Sequence, residues 1–307
     1  MTGGPAATQP AASASHAPKD RWEDSPVDRD VLRAHEYCTQ RCLLGLQRHG
    51  KLDEQCPNVE RHRVNGSTHH PTTVEELVEQ IQLGLDHNLE RAMPIVGPGY
   101  GRPARPGGSG APFKVVSPRF GYAVVGKGTL CCIWPRLERE ADVYTQILMA
   151  AQGSAVPVFL GKINLQQPYE LEGFGRVRHM LLMGYGGEEI GMVTTVDEWD
   201  KYNHQATSAH EIEDLGVMHK DLALRNVLWN AELGRVMIID FEACELVLDR
   251  IAERPAWVPE ELASRPSQQM SLGRFSIESR GHCRFHQVCC HYDPDATCPN
   301  RKYGLPP

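Results

Sequence analysis

The most constraining feature of this sequence is a group of polar residues around a short apolar run, within residues 216–242. The apolar run Val236–Ile239 is typical of a buried strand and places Asp240 directly at its end. Nineteen residues before Asp240 lies Asp221, and Asn226 follows Asp221 by five positions. One carboxylate can orient an acceptor hydroxyl, while a second carboxylate and an amide oxygen can hold magnesium. The stretch therefore predicts a phosphoryl-transfer site.

The overall composition is that of a globular protein. At 307 residues the chain is long enough for one or two domains. Its hydrophobic fraction of 41% and charged fraction of 23% are ordinary values, so we expect a sizeable core. Acidic residues outnumber basic ones by 39 to 32, which leaves a net charge of −7. Because a nucleic-acid backbone is itself an anion, this balance predicts no nucleic-acid partner.

The sequence also indicates a reducing, aqueous compartment. Its N-terminal residues lack the charged and apolar regions of a signal peptide. No apolar run reaches about 18 residues, so we expect no membrane partner. These features predict an intracellular, cytoplasmic protein, with a nuclear location also allowed. In such a compartment the ten cysteines are expected to be thiols or metal ligands instead of disulfides.

Four possible zinc ligands lie close together near the start of the chain: Cys38, Cys42, Cys56 and His62. Three thiols and an imidazole form a ligand set that zinc accepts. Their spacing is not that of a standard zinc finger, however. Buried free cysteines on a short apolar helix are the simpler interpretation and the one that the sequence favours.

A second group of thiols and imidazoles lies near the C-terminus, and its cysteines are Cys283, Cys289, Cys290 and Cys298. Their spacing matches no common zinc module, so we expect a loosely ordered, thiol-rich tail. If the chain binds a structural metal, we expect it at the N-terminal group, where apolar neighbours can exclude water.

Local patterns predict several helices and strands. Thr73 and Glu76 have the spacing of a capping box at the start of an amphipathic helix. The run Ala111–Val116 is typical of a strand, and a second strand-like run ends near Lys127.

A long helix is predicted in the second half of the chain, ahead of Asp221. Thr195 and Glu198 are expected to cap it. Trp199 and Tyr202 are expected to lie on its apolar, core-facing side.

The order of these motifs resembles the fungal protein-kinase-like family, an atypical and C-terminally truncated group of the eukaryotic protein kinase superfamily. The triplet HKD that ends at Asp221, followed by Asn226, looks like the catalytic loop of that superfamily. Asp240 with the phenylalanine after it looks like the start of the D-F-G metal site. The likeness covers roughly residues 35–248. It implies an α+β, two-lobed protein-kinase-like fold with an abbreviated C-terminal lobe.

The resemblance also implies roles for individual side chains. Asp221 would be the catalytic base, and Arg225 would lie near the transferred phosphate. Lys127 would hold the phosphates of ATP, and Glu140 would fix its ammonium group. Glu138 is the competing candidate for the last role, but Glu140 adjoins the apolar edge of its helix.

Further residues would bind the nucleotide and its metal ion. Asn226 and Asp240 would bind Mg²⁺. Backbone groups would approach ATP at two segments, which contain Gly107, Gly108 and Gly110 in a Gly-rich loop, and Met183, Gly184 and Tyr185 after a predicted strand.

The implied function is that of an enzyme, an ATP-dependent phosphotransferase of the kinase type. Its partners would be ATP and an unknown protein or small-molecule hydroxyl acceptor. Two alternatives stay open: a small-molecule kinase of the choline or aminoglycoside type, and an ATP-binding pseudokinase that acts as an interaction module. Lys220 and Glu242 depart from the family pattern, in which arginine and glycine are usual at these positions.

Composition and the resemblance together divide the chain into five predicted segments, of which the two lobes are implied by the resemblance. They are a disordered N-terminal tail (1–30), a Cys/His-containing extension (31–70), a kinase-like N-lobe (71–187), a kinase-like C-lobe with the catalytic loop (188–250) and a Cys/His-rich, poorly ordered tail (251–307).

Overall fold

The computed structural model describes residues 28–95, 110–253, 255–258 and 269–271. The predicted loop glycines Gly107 and Gly108, like the C-terminal cysteines, lie outside these residues. Four helices come first in the described part of the chain, and two further helices then separate groups of strands. The helices are α1 (Arg29–Ala34), α2 (Gln40–Gln47), α3 (Val59–His62), α4 (Val74–His87), α5 (Trp134–Gln146) and α6 (Glu198–Asp214). The strands are β1 (Ala92–Pro94), β2 (Ala111–Val116), β3 (Ala123–Thr129), β4 (Phe159–Leu171), β5 (Gly175–Met183), β6 (Glu188–Glu189), β7 (Val217–His219), β8 (Val227–Asn230), β9 (Arg235–Ile238), β10 (Cys244–Val247) and β11 (Gln269–Ser271).

A five-stranded antiparallel sheet organises the first half of the structure, with the strand order β1-β2-β3-β5-β4. Strand β2 has the predicted bounds and pairs with β3 along its whole length. Strand β3 also pairs with β5, and there Lys127 lies opposite Leu181. Lys127 is therefore on the central strand of the sheet.

Helix α4 begins at the predicted capping box, which the structure confirms. Thr73 Oγ1 accepts a hydrogen bond from the N–H of Glu76 at 3.2 Å, and Glu76 Oε2 accepts one from the N–H of Thr73 at 3.2 Å. The helix then packs against β4 and buries an apolar stripe at helical spacing, formed by Leu77, Ile81 and Leu85.

Helix α6 differs from the prediction at its start and on its surface. Asp197, and not Thr195, is its N-cap: the carboxylate accepts hydrogen bonds from two backbone N–H groups of the first turn, at 2.9 and 3.0 Å. Aspartate is a stronger cap than threonine, which explains the later start. The predicted core residues Trp199 and Tyr202 are 71% and 64% exposed. The buried residues of this helix are Lys201, Ser208 and Ile212.

Two small antiparallel sheets complete the structure. The hairpin of β8 and β9 pairs with β6, and it contains the predicted strand before Asp240. Strand β10 pairs with β7 on one side and with β11 on the other. Part of the predicted C-terminal tail therefore forms a strand, because β11 covers Gln269–Ser271.

The buried side chains form two clusters. The N-terminal core lies between α2, α4 and the five-stranded sheet and includes Leu43, Leu77 and Phe113. The C-terminal core joins α5 and α6 to the small sheets and includes Leu137, Tyr144, Ile212 and Phe241. Strand β5 contributes alternate residues to the two cores, as the period of a strand requires.

The helices and antiparallel strands agree with the predicted mixed α and β class. Among the residues that the structure describes, no helix combines the length and the apolar character needed to cross a bilayer.

Candidate functional site

The four predicted zinc ligands converge on one buried point. Cys38 precedes α2, Cys42 lies on α2, Cys56 follows a turn, and His62 is the last residue of α3. Their ligand atoms all lie within 4.8 Å of one another. None of the four is more than 3% exposed. A chain reversal between α2 and α3 thus brings together two pairs of residues that are separate in sequence.

The distances suit a tetrahedral metal ion. His62 Nε2 lies 3.4 Å from Cys38 Sγ and 3.5 Å from Cys56 Sγ. With a Zn–S bond of about 2.3 Å and a Zn–N bond of about 2.0 Å, tetrahedral ligand atoms lie about 3.6 Å apart. The cluster is therefore already close to the size that a zinc ion requires.

The groups around the ligands orient them as in a metal site. His62 Nδ1 donates a hydrogen bond to the Phe120 carbonyl at 2.8 Å, which leaves the lone pair of Nε2 facing the thiols. The imidazole also stacks on Tyr122 with the ring centroids 3.9 Å apart. Cys38 Sγ accepts hydrogen bonds from the N–H of Ala123 at 3.4 Å and from Asn58 Nδ2 at 3.5 Å. Such donors stabilise a thiolate.

The thiols perturb one another strongly. Burial raises the pKa of Cys38 to about 12. Hydrogen bonding with Cys38 and Cys56, together with burial, raises the pKa of Cys42. Hydrogen bonds from Cys38 and Cys42 instead lower the pKa of Cys56. One thiolate is thus stabilised by two neighbouring thiols, and a cation that replaced their protons would bind all three sulfurs.

These observations show that the Cys3His cluster has the ligand set, burial and geometry to bind a metal such as zinc. The interpretation as unrelated buried cysteines on α2 accounts for Cys42 alone. It does not account for the convergence of Cys56 and His62 on the same point.

A second buried polar group, the lysine cluster, contains Lys127, Glu140 and Asp240. Lys127 Nζ lies 2.6 Å from Glu140 Oε2 and 2.7 Å from Asp240 Oδ1. The three residues come from β3, from α5 and from the residues after β9, so the cluster ties the sheet to the C-terminal core. Glu138, the competing candidate, instead pairs with Lys162 at 2.9 Å.

The lysine cluster contains two carboxylates and one ammonium group. Burial, opposed by Lys127, raises the pKa of Glu140 to about 7. Burial also acts to raise the pKa of Asp240, but Lys127 outweighs it and holds that pKa below its usual range. Burial disfavours the charge of Lys127, yet the two carboxylates together raise the pKa of the lysine. Of the two carboxylates, Glu140 therefore takes up a proton more readily as the pH falls, and its Oε1 is buried without a hydrogen bond.

Asp240 also has an unusual backbone. Its φ of 70° lies in the left-handed region that non-glycine residues seldom occupy. Such strain persists only where the surrounding structure holds it, and it concentrates at functional positions.

The predicted catalytic loop folds around Asp221. Its carboxylate pairs with Arg225, and Asn226 Nδ2 donates to the Asp221 carbonyl at 2.9 Å and to Oδ2 at 3.4 Å. His219 Nε2 donates to the Ile239 carbonyl at 3.0 Å, which fixes the loop beside the residue before Asp240. The structure therefore brings Asp221, Arg225 and Asn226 together on one loop.

The segment predicted to line a nucleotide pocket contacts α2. Gly184 donates its N–H to the Val158 carbonyl at 2.8 Å, and the Tyr185 carbonyl accepts from Gln40 Nε2 at 2.8 Å. A side chain on Gly184 would come within 2.7 Å of the Gln40 amide, so that space is filled. Met183, the last residue of β5, is 5% exposed.

Gly110 is the one predicted loop glycine among the described residues. It precedes β2, and a Cβ at this position would lie 2.8 Å from Lys127 Cγ. Glycine thus allows the chain to pass close beside Lys127.

Several residues of these sites were not predicted from the sequence. Asn58 is the side-chain donor to Cys38, and Gln40 and Glu232 hold α2 in place. In the sequence, none of these residues gives a clear local signal. The burial of Gln40 at the start of α2 is visible only in the structure.

Comparisons with known proteins bear on the family and function of this chain. No protein-family model matches the chain. The meiotic driver SPOK2 of Podospora anserina is 41% identical to it over 233 residues. The match covers 75% of this chain but only 28% of the relative, so the chain spans less than a third of the length of that protein.

The relative contradicts the predicted protein-kinase-like family, because its name is that of a meiotic driver and no kinase family matches. The predicted function as an ATP-dependent phosphotransferase is wrong on the same finding, as is the description as an ATP-binding kinase. The two alternatives have no support either. ATP and magnesium have no support as cofactors. Enzymatic activity, and the roles given to Asp221, Lys127, Glu140, Asn226 and Asp240, stay predictions.

Proposed function

We propose that this chain is a zinc-stabilised module of a protein that acts in meiotic drive, in which Cys38, Cys42, Cys56 and His62 bind one structural zinc ion. The observation that carries the metal site is the convergence of these four ligand atoms within 4.8 Å at a buried point. The relative's name supports the biological process.

The ligand set supports a structural ion and not a catalytic one. Catalytic zinc sites keep a coordination position open for water or substrate, whereas structural sites use four protein ligands. Here all four ligands come from the chain and all are buried. The zinc would neutralise thiolate charge that the apolar surroundings otherwise disfavour.

The location of the centre supports a role in folding. It joins α2 and α3 to the sheet through Cys38, whose N–H donates to the Ala123 carbonyl at 3.0 Å. The cluster thus links two short helices that are distant in sequence from the sheet, where a structural metal contributes directly to folding. The thiol ligands must stay reduced, so an intracellular location is part of the proposal.

The predicted two-lobed arrangement is also kept, without the kinase assignment. The two cores support it, because each has its own set of buried side chains. The N-terminal core would depend on zinc directly, since Cys38, Cys42 and Cys56 belong to its buried cluster.

Elemental analysis of the untagged chain tests the metal site. We expect about one zinc per chain, the capacity of a four-ligand site, and a lower melting temperature after treatment with a chelator. A folded chain without zinc, whose melting temperature is unchanged by added zinc or by chelator, contradicts the proposal.

The role in meiotic drive needs a separate test. In crosses with one parent that carries the full-length gene, we expect biased transmission of that gene. The double substitution Cys38→Ser with Cys42→Ser should reduce the bias. Equal transmission by the unsubstituted gene would contradict this part of the proposal and leave the zinc site unaffected.

A further inference from the structure

Helix α2 contacts both halves of the structure through its first residue. Gln40 is 1% exposed, and its side-chain amide bonds in two directions. Its Nε2 donates to the Tyr185 carbonyl at 2.8 Å, and its Oε1 accepts from the N–H of Val158 at 2.9 Å. Val158 precedes β4, and Tyr185 lies where the chain leaves β5 for the C-terminal core. One glutamine thus holds the connection between the two cores.

A carboxylate from the other half of the structure caps the same helix. Glu232 lies in the turn between β8 and β9. Its Oε2 accepts from the N–H of Gln40 at 2.8 Å, and its Oε1 accepts from the N–H of Arg41 at 3.3 Å. A negative charge at this position interacts favourably with the N-terminal end of the helix. The β8–β9 turn is therefore fastened to α2.

Aromatic stacking adds a third contact beside these hydrogen bonds. The rings of Tyr37 and Tyr185 are nearly parallel, with centroids 4.4 Å apart. Lys114 Nζ lies 5.0 Å from the centre of the Tyr37 ring. Tyr37, which precedes α2, thus also contacts the segment that follows β5.

These contacts alternate in sequence with the metal ligands. Tyr37, Gln40 and Arg41 make the contacts to the other half, while Cys38 and Cys42 belong to the Cys3His cluster. A metal ion held by Cys38 and Cys42 restricts the backbone on both sides of Gln40. Without the ion, this short segment depends on its hydrogen bonds and apolar contacts alone.

We propose that zinc binding fixes the position of the two cores relative to each other through α2, with Gln40 and Glu232 as the positioning residues. The inference rests on the proposed function, because it requires that the cluster bind zinc. It goes further in making the metal centre a clamp between the cores and not only a support for the N-terminal one.

Hydrogen exchange on the full chain, with and without a zinc chelator, tests the clamp. Buried, hydrogen-bonded amides exchange only when the structure opens locally. After chelation we expect roughly tenfold or faster exchange at residues 156–160, 183–187 and 230–235, since each segment would lose a hydrogen bond to α2 that helps to hold its backbone in place. The first two segments hold the Gln40 partners, and the third holds Glu232.

Variants of the zinc-loaded protein keep the test valid if chelation unfolds the whole chain. Gln40→Ala should increase exchange at residues 156–160 and 183–187, and Glu232→Ala should increase it at residues 40–44 and 230–235. Both variants should retain about one zinc, because neither residue is a ligand. Gln167→Ala and Glu172→Ala are the matched controls, since these residues are exposed, and they should leave the three segments unchanged.

The outcomes separate the two proposals. A chain that contains no zinc overturns the proposed function. Stoichiometric zinc, with faster exchange after chelation only at residues 38–62, leaves the proposed function in place and overturns the clamp. Unchanged exchange in zinc-loaded Gln40→Ala and Glu232→Ala overturns the clamp as well.

Discussion

The metal centre and the lysine cluster differ in how their side chains are brought together and in how the negative charge of their acidic groups can be balanced. The metal centre gathers its four ligands from residues 38–62, whereas the lysine cluster joins residues that are as much as 113 positions apart. The lysine cluster supplies its own cation, because Lys127 binds both carboxylates. The metal centre contains three thiols and an imidazole, with no lysine or arginine among its four residues.

This difference teaches where an external ion is needed. In the metal centre, Asn58 donates to Cys38 and the Phe120 carbonyl accepts from His62 Nδ1, so the lone pair of His62 Nε2 is left for an ion. In the lysine cluster the ammonium group of Lys127 balances part of the negative charge, and the raised pKa of Glu140 makes that carboxyl the first to take up a proton as the pH falls. The first cluster should therefore depend on zinc, and the second on pH.

The largest expected effect comes from removing two zinc ligands. Cys38→Ser with Cys42→Ser should abolish zinc binding and destabilise the protein by roughly 5 kcal/mol or more, since a structural zinc contributes directly to folding. The melting temperature should fall by more than about 10 °C. Thermal unfolding and metal analysis check both results. Cys132→Ser is the control, since this partly exposed cysteine lies outside the cluster, and it should retain zinc.

Removal of the internal cation should have the next largest effect. Lys127→Met leaves the buried Glu140 and the partly exposed Asp240 without their partner, which should lower the free energy of unfolding by about 3 kcal/mol. Denaturant titration measures the change. Lys162→Met is the matched control, because its pair with Glu138 is roughly half exposed and should contribute less than about 1 kcal/mol. Equal losses of unfolding free energy in the two variants would show that the lysine cluster stabilises the protein no more than an exposed ion pair does.

The pH dependence of stability distinguishes the clusters further. Because burial raises the pKa of Glu140 to about 7 in the folded protein, the native state binds the proton more tightly than the unfolded chain. Its contribution is present in full at low pH and is lost as the pH rises through about 7. Denaturant titrations between pH 5 and pH 8 should therefore show a slope that Glu140→Gln flattens. A slope of the same size in Glu140→Gln assigns the titration to another group.

The smallest expected effect concerns an outer residue of the metal centre. Asn58→Ala removes the donor to Cys38 Sγ and to the Glu36 carbonyl. We expect zinc affinity to fall about tenfold while the stoichiometry stays unchanged, as for other partners of metal ligands. Competition with a chromogenic chelator measures the affinity. Asn203→Ala, at an exposed position on α6, should leave it unaltered.

Features that depend on a few neighbouring residues could be predicted from the sequence. The strand at Ala111–Val116 follows from its apolar pattern, and the start of α4 follows from the Thr73–Glu76 capping box. Each signal lies within a few neighbouring residues, so the structure it predicts depends little on the rest of the chain.

Other features depend on competition or on distant parts of the chain. Thr195 and Asp197 can both cap α6, and only the folded geometry shows that the carboxylate does so. The exposure of Trp199 has the same origin, because a helical pattern alone does not show which turns face the core. The convergence of Cys56 and His62 on Cys38 requires the reversal after α2, which the ligand spacing does not reveal. The family and the function were predicted from motifs, and the similarity to a meiotic driver corrected them.

The most direct test of the account is X-ray absorption at the zinc edge of the full chain, purified without a tag. We expect a four-coordinate ion with three sulfur ligands at about 2.3 Å and one nitrogen ligand at about 2.0 Å. The Cys38→Ser, Cys42→Ser variant should bind no zinc and therefore give no zinc-edge signal. Zinc bound by nitrogen and oxygen alone, or an unchanged spectrum in that variant, would contradict the proposed metal centre.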